Sequence, residues 1–151
     1  MPERVGEAVE VLEYWAARLL RDFEAIPAAD RMRAFPQAGT SAAQIVKQCA
    51  MVARRQAALV RGEEMPVEFE PAPAIEDAEQ AKRDLETALE ELRVALEAVG
   101  PEALGERRQM PWGGSMSLGE YIFRPSYHLA YHDGQLNYIQ RLLGDREFHF
   151  G

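Results

Sequence analysis

The chain has 151 residues, 47 % hydrophobic and 28 % charged, which suits one globular domain, residues 1–151, with its own apolar core and excludes an intrinsically disordered chain. Its 17 basic and 25 acidic side chains leave a formal charge of -8, so counterion release on a phosphate backbone gives no general driving force and nucleic acid is not an expected partner. A single cysteine, Cys49, excludes an intrachain disulfide. The N-terminus lacks the basic start and apolar run of a signal peptide, and no apolar stretch approaches the roughly 20 residues that span a bilayer, so the default expectation is a cytoplasmic protein with no membrane partner.

Apolar residues recur at helical spacing in four stretches. The first runs from Val5 through Val9, Leu12, Ala16, Leu19 and Phe23 to Ile26, and Pro27 stops it. The second follows Gly39, with Thr40 or Ser41 as N-cap and Gln44 placed for a capping box. Its stripe is Ile45, Gln48, Cys49, Val52, Gln56 and Leu59, and Gly62 ends it. The third begins near Ile75, carries Ala78, Ala81, Leu85, Leu89, Leu92, Leu96 and Val99, and closes at Gly100-Pro101. The fourth starts at Ser117, with Glu120 three residues on as a capping-box partner. Its stripe holds Leu118, Tyr121, Pro125, His128, His132, Leu136, Ile139 and Leu143, and Gly144 ends it. Pro125 predicts a kink or a late start.

Three loops join these stretches: Pro27 to Gly39, the proline-rich segment Gly62 to Ala74, and Pro101 to Ser115, where Met110-Pro111-Trp112-Gly113-Gly114 reads as a turn carrying an aromatic side chain. No alternation argues for a strand, apart from a brief pairing that Val67 to Glu70 could make. Four helices of roughly 20–27 residues around one core predict an all-α four-helix bundle with long connecting loops.

Polar residues on an inward stripe need a reason. His128 and His132, at i and i+4, share one face of the fourth helix. Gln48 stands between Ile45 and Val52 on the inward stripe of the second. Two imidazoles one turn apart can hold one divalent ion, and a third ligand from a neighbouring helix would make an open, catalytic type of site. The same pair can equally fill space with its nitrogens hydrogen-bonded, and Gln48 can be an ordinary satisfied amide. Cys49 reads as a small buried core residue; as a catalytic thiol it would need the histidine pair as its base.

The segment Ser126-Tyr127-His128-Leu129-Ala130-Tyr131-His132-Asp133-Gly134-Gln135-Leu136 resembles the last helix of the DinB/YfiT-like superfamily, a family distinct from the DNA polymerase that shares the name. The order of helices, the Gly-Pro stop and the following Gly114-Ser115-Met116-Ser117-Leu118-Gly119-Glu120-Tyr121 agree with it. The resemblance implies a four-helix bundle holding a divalent metal (zinc, nickel or manganese) on three histidines. Two of these map onto His128 and His132. Where the second helix of the family carries the third, Ser41-Ala42-Ala43-Gln44-Ile45-Val46-Lys47-Gln48 places Gln48. An amide oxygen is a poorer ligand for zinc or nickel than imidazole, so metal affinity should fall. His149, in the C-terminal tail, matches no ligand position.

The resemblance further implies transfer of a low-molecular-weight thiol to an electrophile, or hydrolysis, of a small molecule. Tyr121, Arg124, Gln135 and Trp112 are the residues placed to line the pocket, with Arg124 suited to an anionic group and Trp112 to the mouth. Asp133, about 100° round the helix from His132, reads as an outer-shell or surface carboxylate. Two other classes stay open: a small-ligand-binding module without metal, favoured by Gln48, and a stress-response oligomer. For the last, Trp15, Tyr127, Tyr131 and Tyr138 could form a homodimer face.

Overall fold

A computed structural model describes residues 1–64 and 74–149. Helix α1 (Glu3–Ala25) ends where Pro27 was expected to stop it. A 3-10 turn at Ala28–Asp30 follows, then a two-stranded hairpin, β1 (Ala34–Phe35) and β2 (Thr40–Ser41). Helix α2 (Ala42–Val60) is capped by Ser41, whose Oγ accepts the Gln44 N–H at 3.1 Å. It ends at Gly62, whose φ of 80° allows the Glu63 N–H to reach back to the Ala58 carbonyl. Helix α3 (Ala78–Glu97) starts three residues after the expected Ile75, because Asp77 Oδ1 accepts the Glu79 N–H and fixes the N-terminus there.

After a 3-10 turn at Glu102–Gly105, strands β3 (Arg107–Gln109) and β4 (Ser115–Ser117) form a second antiparallel hairpin. Both hairpins correct the strand-free expectation. Their strands of two and three residues are too short for alternation to register in a sequence. The suggested pairing at residues 67–70 lies outside the described residues. At the tip of the second hairpin Gly113 (φ 101°) and Gly114 (φ 76°) adopt a backbone that residues with a side chain resist, and they let Met110 N–H close on the Gly114 carbonyl. Arg108 Nε donates to the Leu59 carbonyl, tying this hairpin to the end of α2.

The fourth stretch is two helices. Ser117 caps α4 (Leu118–Tyr121) through the Glu120 N–H, as its spacing predicts. The helix then breaks at Ile122–Phe123 and resumes as α5 (Arg124–Leu142), with Pro125 in the first turn, where its missing N–H costs nothing. The long helices make a four-helix bundle in which α2 packs along α3 and α1 along α5, with α1–α3 and α2–α5 contacts completing the ring. Leu19 and Phe23 of α1 with Ile26 just after it, Ile45 of α2, Leu85, Leu92 and Leu96 of α3, and Leu136 and Ile139 of α5 are fully buried between them. No helix among the described residues is long and apolar enough to cross a membrane.

Candidate metal centre and its cavity

Helix α5 turns two kinds of polar residue inward. Toward α2 it presents His128 and His132, whose rings meet edge to face with centroids 4.4 Å apart. His132 is buried and His128 half-buried. Their Nε2 atoms lie 3.0 Å apart, and His132 Nδ1 lies 2.6 Å from Gln135 Oε1. An amide oxygen can only accept, so Nδ1 of His132 carries the proton and its Nε2 presents a lone pair to His128.

Burial, and after it the neighbouring His132, pulls His128 down to about 4. Burial also lowers His132, against the opposing hydrogen bond to Gln135. Both rings are therefore neutral at pH 7, the form that ligates metals. Two nitrogens 3.0 Å apart are spaced as adjacent ligands of one ion, which at 2.0–2.1 Å from each would see them roughly 90–100° apart. The third polar atom here comes from α2. Cys49 Sγ and the two imidazoles offer ligand atoms all within 4.8 Å of one another. Cys49 is fully buried, and burial pushes its thiol up, so it is un-ionised in the metal-free protein.

Gln48, expected as the third ligand, is exposed and lines the same cavity wall as His128. Successive residues on a helix point about 100° apart, and here the inward direction falls to Cys49. The cavity, about 470 Å³, lies between α2 and α5 under the tip of the second hairpin. Helix α2 contributes Gln48, Val52, Arg55, Gln56 and Leu59, and α5 contributes Arg124, Tyr127, His128 and Tyr131. Both sets follow the three-and-four spacing of a single helix face. Tyr121 comes from the end of α4, and Pro111 and Trp112 from the hairpin tip.

Three of the four expected pocket residues, Tyr121, Arg124 and Trp112, thus line the cavity. Gln135 does not; it stands behind, holding His132. Trp112 is 64 % exposed, over the cavity. Burial raises the Tyr121 hydroxyl, against a lesser pull from Arg124, so it stays protonated and able to donate. His149 pairs with Asp145 in the tail.

Toward α1, the same helix presents a closed polar cluster. Asp133, expected near the metal or at the surface, is buried and faces the buried Asp22 of α1. Asn137 Nδ2 lies 3.3 Å from a carboxylate oxygen of each, and Arg18 Nε is 3.6 Å from Asp133 Oδ2. Burial, then the hydrogen bond and charge of Asp22, raise the Asp133 carboxyl well above the usual carboxylate range. Sequence reading passed over Asp22, although it sits at the inward spacing between Leu19 and Ile26, and it passed over Arg55.

Comparison with known proteins extends this geometry. No curated protein matches the chain in sequence. Among solved structures, YfiT from Bacillus subtilis, named a probable metal-dependent hydrolase with an unusual four-helix bundle topology, superposes with a TM-score of 0.76 at 15% identity, over 96% of this chain and 90% of that one. The mycothiol-dependent maleylpyruvate isomerase superposes with a TM-score of 0.75 at 15% identity, over 90% of this chain. The matched part is 61% of the isomerase's own length. At that identity the likeness is one of fold. A family model described as the DinB superfamily matches residues 7–136, and the chain therefore belongs to the DinB superfamily.

Proposed function

We propose that this protein is a metal-dependent catalyst of thiol transfer to, or hydrolysis of, a small molecule, with one divalent ion held by His128, His132 and a donor from α2. The observation that carries this reading is the 3.0 Å approach of two imidazole nitrogens, both rings neutral and one fixed in tautomer by Gln135. In preference to Gln48, the third donor is Cys49: its sulfur already stands among the ring nitrogens, and thiolate is a stronger ligand than an amide oxygen for zinc or nickel. The names of two fold neighbours, a mycothiol-dependent isomerase and a probable metal-dependent hydrolase, support the reaction class.

A bound divalent ion would supply Lewis acidity and lower the pKa of a thiol or water. The chain's own residues do the rest. Gln135 orients His132. Tyr121, its hydroxyl protonated, is a donor on the cavity wall, and Trp112 and Pro111 flank the mouth.

Titration of chelator-treated protein with cobalt(II) tests this. Wild type takes up one equivalent and gains a thiolate-to-cobalt absorption band in the near ultraviolet. Cys49→Ser loses the band, while Gln48→Ala keeps it. If wild type takes up neither cobalt nor zinc, the reading fails, and a metal-free ligand-binding module stands in its place. The observation favouring that second reading is Gln48 itself, at the position where the family resemblance implies histidine. A thermal shift with small apolar molecules and no response to metal would support it.

A further inference from the structure

We infer that the cavity above His128 selects organic anions: small molecules with a flat apolar body, a carboxylate-like head, and their reacting atom only a few bonds from that head. This rests on the reading of the cavity as the substrate site, but it does not require the metal.

The first observation is charge. Among the described residues the cavity wall carries the Arg124 guanidinium and no aspartate or glutamate, in a chain whose acidic side chains outnumber its basic ones 25 to 17. At least seven of the fifteen arginines meet a carboxylate, Arg31, Arg54 and Arg93 among them. Arg124 forms no ion pair or side-chain hydrogen bond among the described residues. It opens α5, beside the protonated Tyr121 hydroxyl, so one end of the cavity offers a cation and a neutral donor together. A cationic ligand would meet like charge there. A neutral one would cover Arg124 without replacing its water, which is costly.

The second observation is shape. Trp112, Tyr127 and Tyr131 are 64 %, 63 % and 67 % exposed, and all three border this one cavity. Large aromatic rings gathered at the rim of a volume of about 470 Å³ suit a flat body of one or two rings.

The third is spacing. Arg124 and His128 lie at i and i+4 on α5, which brings their side chains about 5–6 Å apart at the Cβ atoms. A head group held by Arg124 therefore leaves atoms a few bonds further along the molecule near His128 and the centre behind it. The substrate class is thus one whose reactive carbon lies within a few bonds of the carboxylate.

Isothermal titration of chelator-treated full-length protein with three probes of one shape, trans-cinnamate, cinnamamide and cinnamylamine, decides it. Cinnamate binds roughly 10-fold or more tighter than the amide, the scale of one charge-assisted hydrogen bond, and the amine binds weakest. Arg124→Gln, a change at an exposed position, removes most of the preference, and Arg124→Lys keeps part of it. Equal binding of the three probes, no binding of any, or an anion preference untouched by Arg124→Gln would overturn the inference. Because the metal is absent throughout, failure here leaves cobalt uptake unaffected, and failure of cobalt uptake leaves the cinnamate preference standing.

Discussion

Two polar clusters sit back to back on α5, and they differ in what closes them. His132 and Asp133 are neighbours in the chain, yet one faces α2 and the other α1. On the α1 side the polar groups are enclosed against one another: Asn137 bridges Asp22 and Asp133, Arg18 lies beside Asp133, and the second oxygen of each carboxyl finds no other donor, so a proton held between the two is what quiets the pair. On the α2 side the polar atoms converge without charge to balance. Two neutral imidazoles and an un-ionised thiol point their donor atoms together, beside a cavity that opens to solvent. Enclosure between two helices marks a cluster that builds the bundle. The histidine pair, hydrogen-bonded to itself and to Gln135 yet set beside an opening, is the one that something from outside can reach.

The sharpest way to break the comparison is to treat Gln135 as structure. If the histidine cluster is a ligand set, Gln135→Ala lowers cobalt affinity by roughly 10–100-fold, the usual worth of an outer-shell partner that orients a ligating imidazole, and leaves the melting temperature of metal-free protein nearly unchanged. If the cluster only fills space, the same substitution moves the melting temperature and no metal affinity exists to move. Competition with a chromophoric chelator and thermal melts of the same samples give both readings.

Much of this arrangement was legible beforehand, for identifiable reasons. The long helices announce themselves by spacing, and Ser41, Ser117 and Pro125 mark starts and the break because capping and the missing proline N–H are local effects. The histidine pair was legible because i, i+4 fixes two side chains on one face whatever the tertiary packing. The choice between Gln48 and Cys49 was not. They are adjacent on α2, both within a broad inward stripe, and only the position of α5 decides which one meets the imidazoles. Arg55 reads as solvent-facing until the hairpin tip is placed over the end of α2, and the hairpin itself is too short to leave a periodic trace.

Acid sharpens the comparison next, by loading the metal-free histidine cluster. Both imidazoles titrate lower in the fold than in the unfolded chain. Their contribution to stability is therefore complete above the unfolded value of about 6.5 and is lost as pH falls toward the folded value, about 4 for His128. Allowing for the partial exposure of His128, the loss is roughly 2 kcal/mol. Urea unfolding at pH 7 and pH 4.5 measures it against His128→Gln, which loses less over the same interval. Equal losses in the two proteins would show that the rings are already solvated.

The smallest effect has the opposite pH sign, and it belongs to the α1 side. Asp133 has its carboxyl raised in the fold by burial and by Asp22. The unfolded chain gives up that proton from about pH 4 upward, while the folded protein holds it, so the pair's contribution to stability declines as pH rises through neutrality. Asp133→Asn removes the obligation to hold a proton, and its amide can still donate to Asp22 and accept from Asn137. The substitution should stabilise the protein by about 1 kcal/mol at pH 8 and by nothing at pH 4, measured as the difference in unfolding free energy at the two values. A variant that is instead destabilised at pH 8 would mean that Asp133 is ionised there and that its pairing with Arg18, 3.6 Å away, outweighs the repulsion from Asp22. The α1 cluster would then be an ion pair with a bystander carboxylate, no longer a proton-sharing pair, and the contrast with the uncharged histidine side would become one of charge as well as closure.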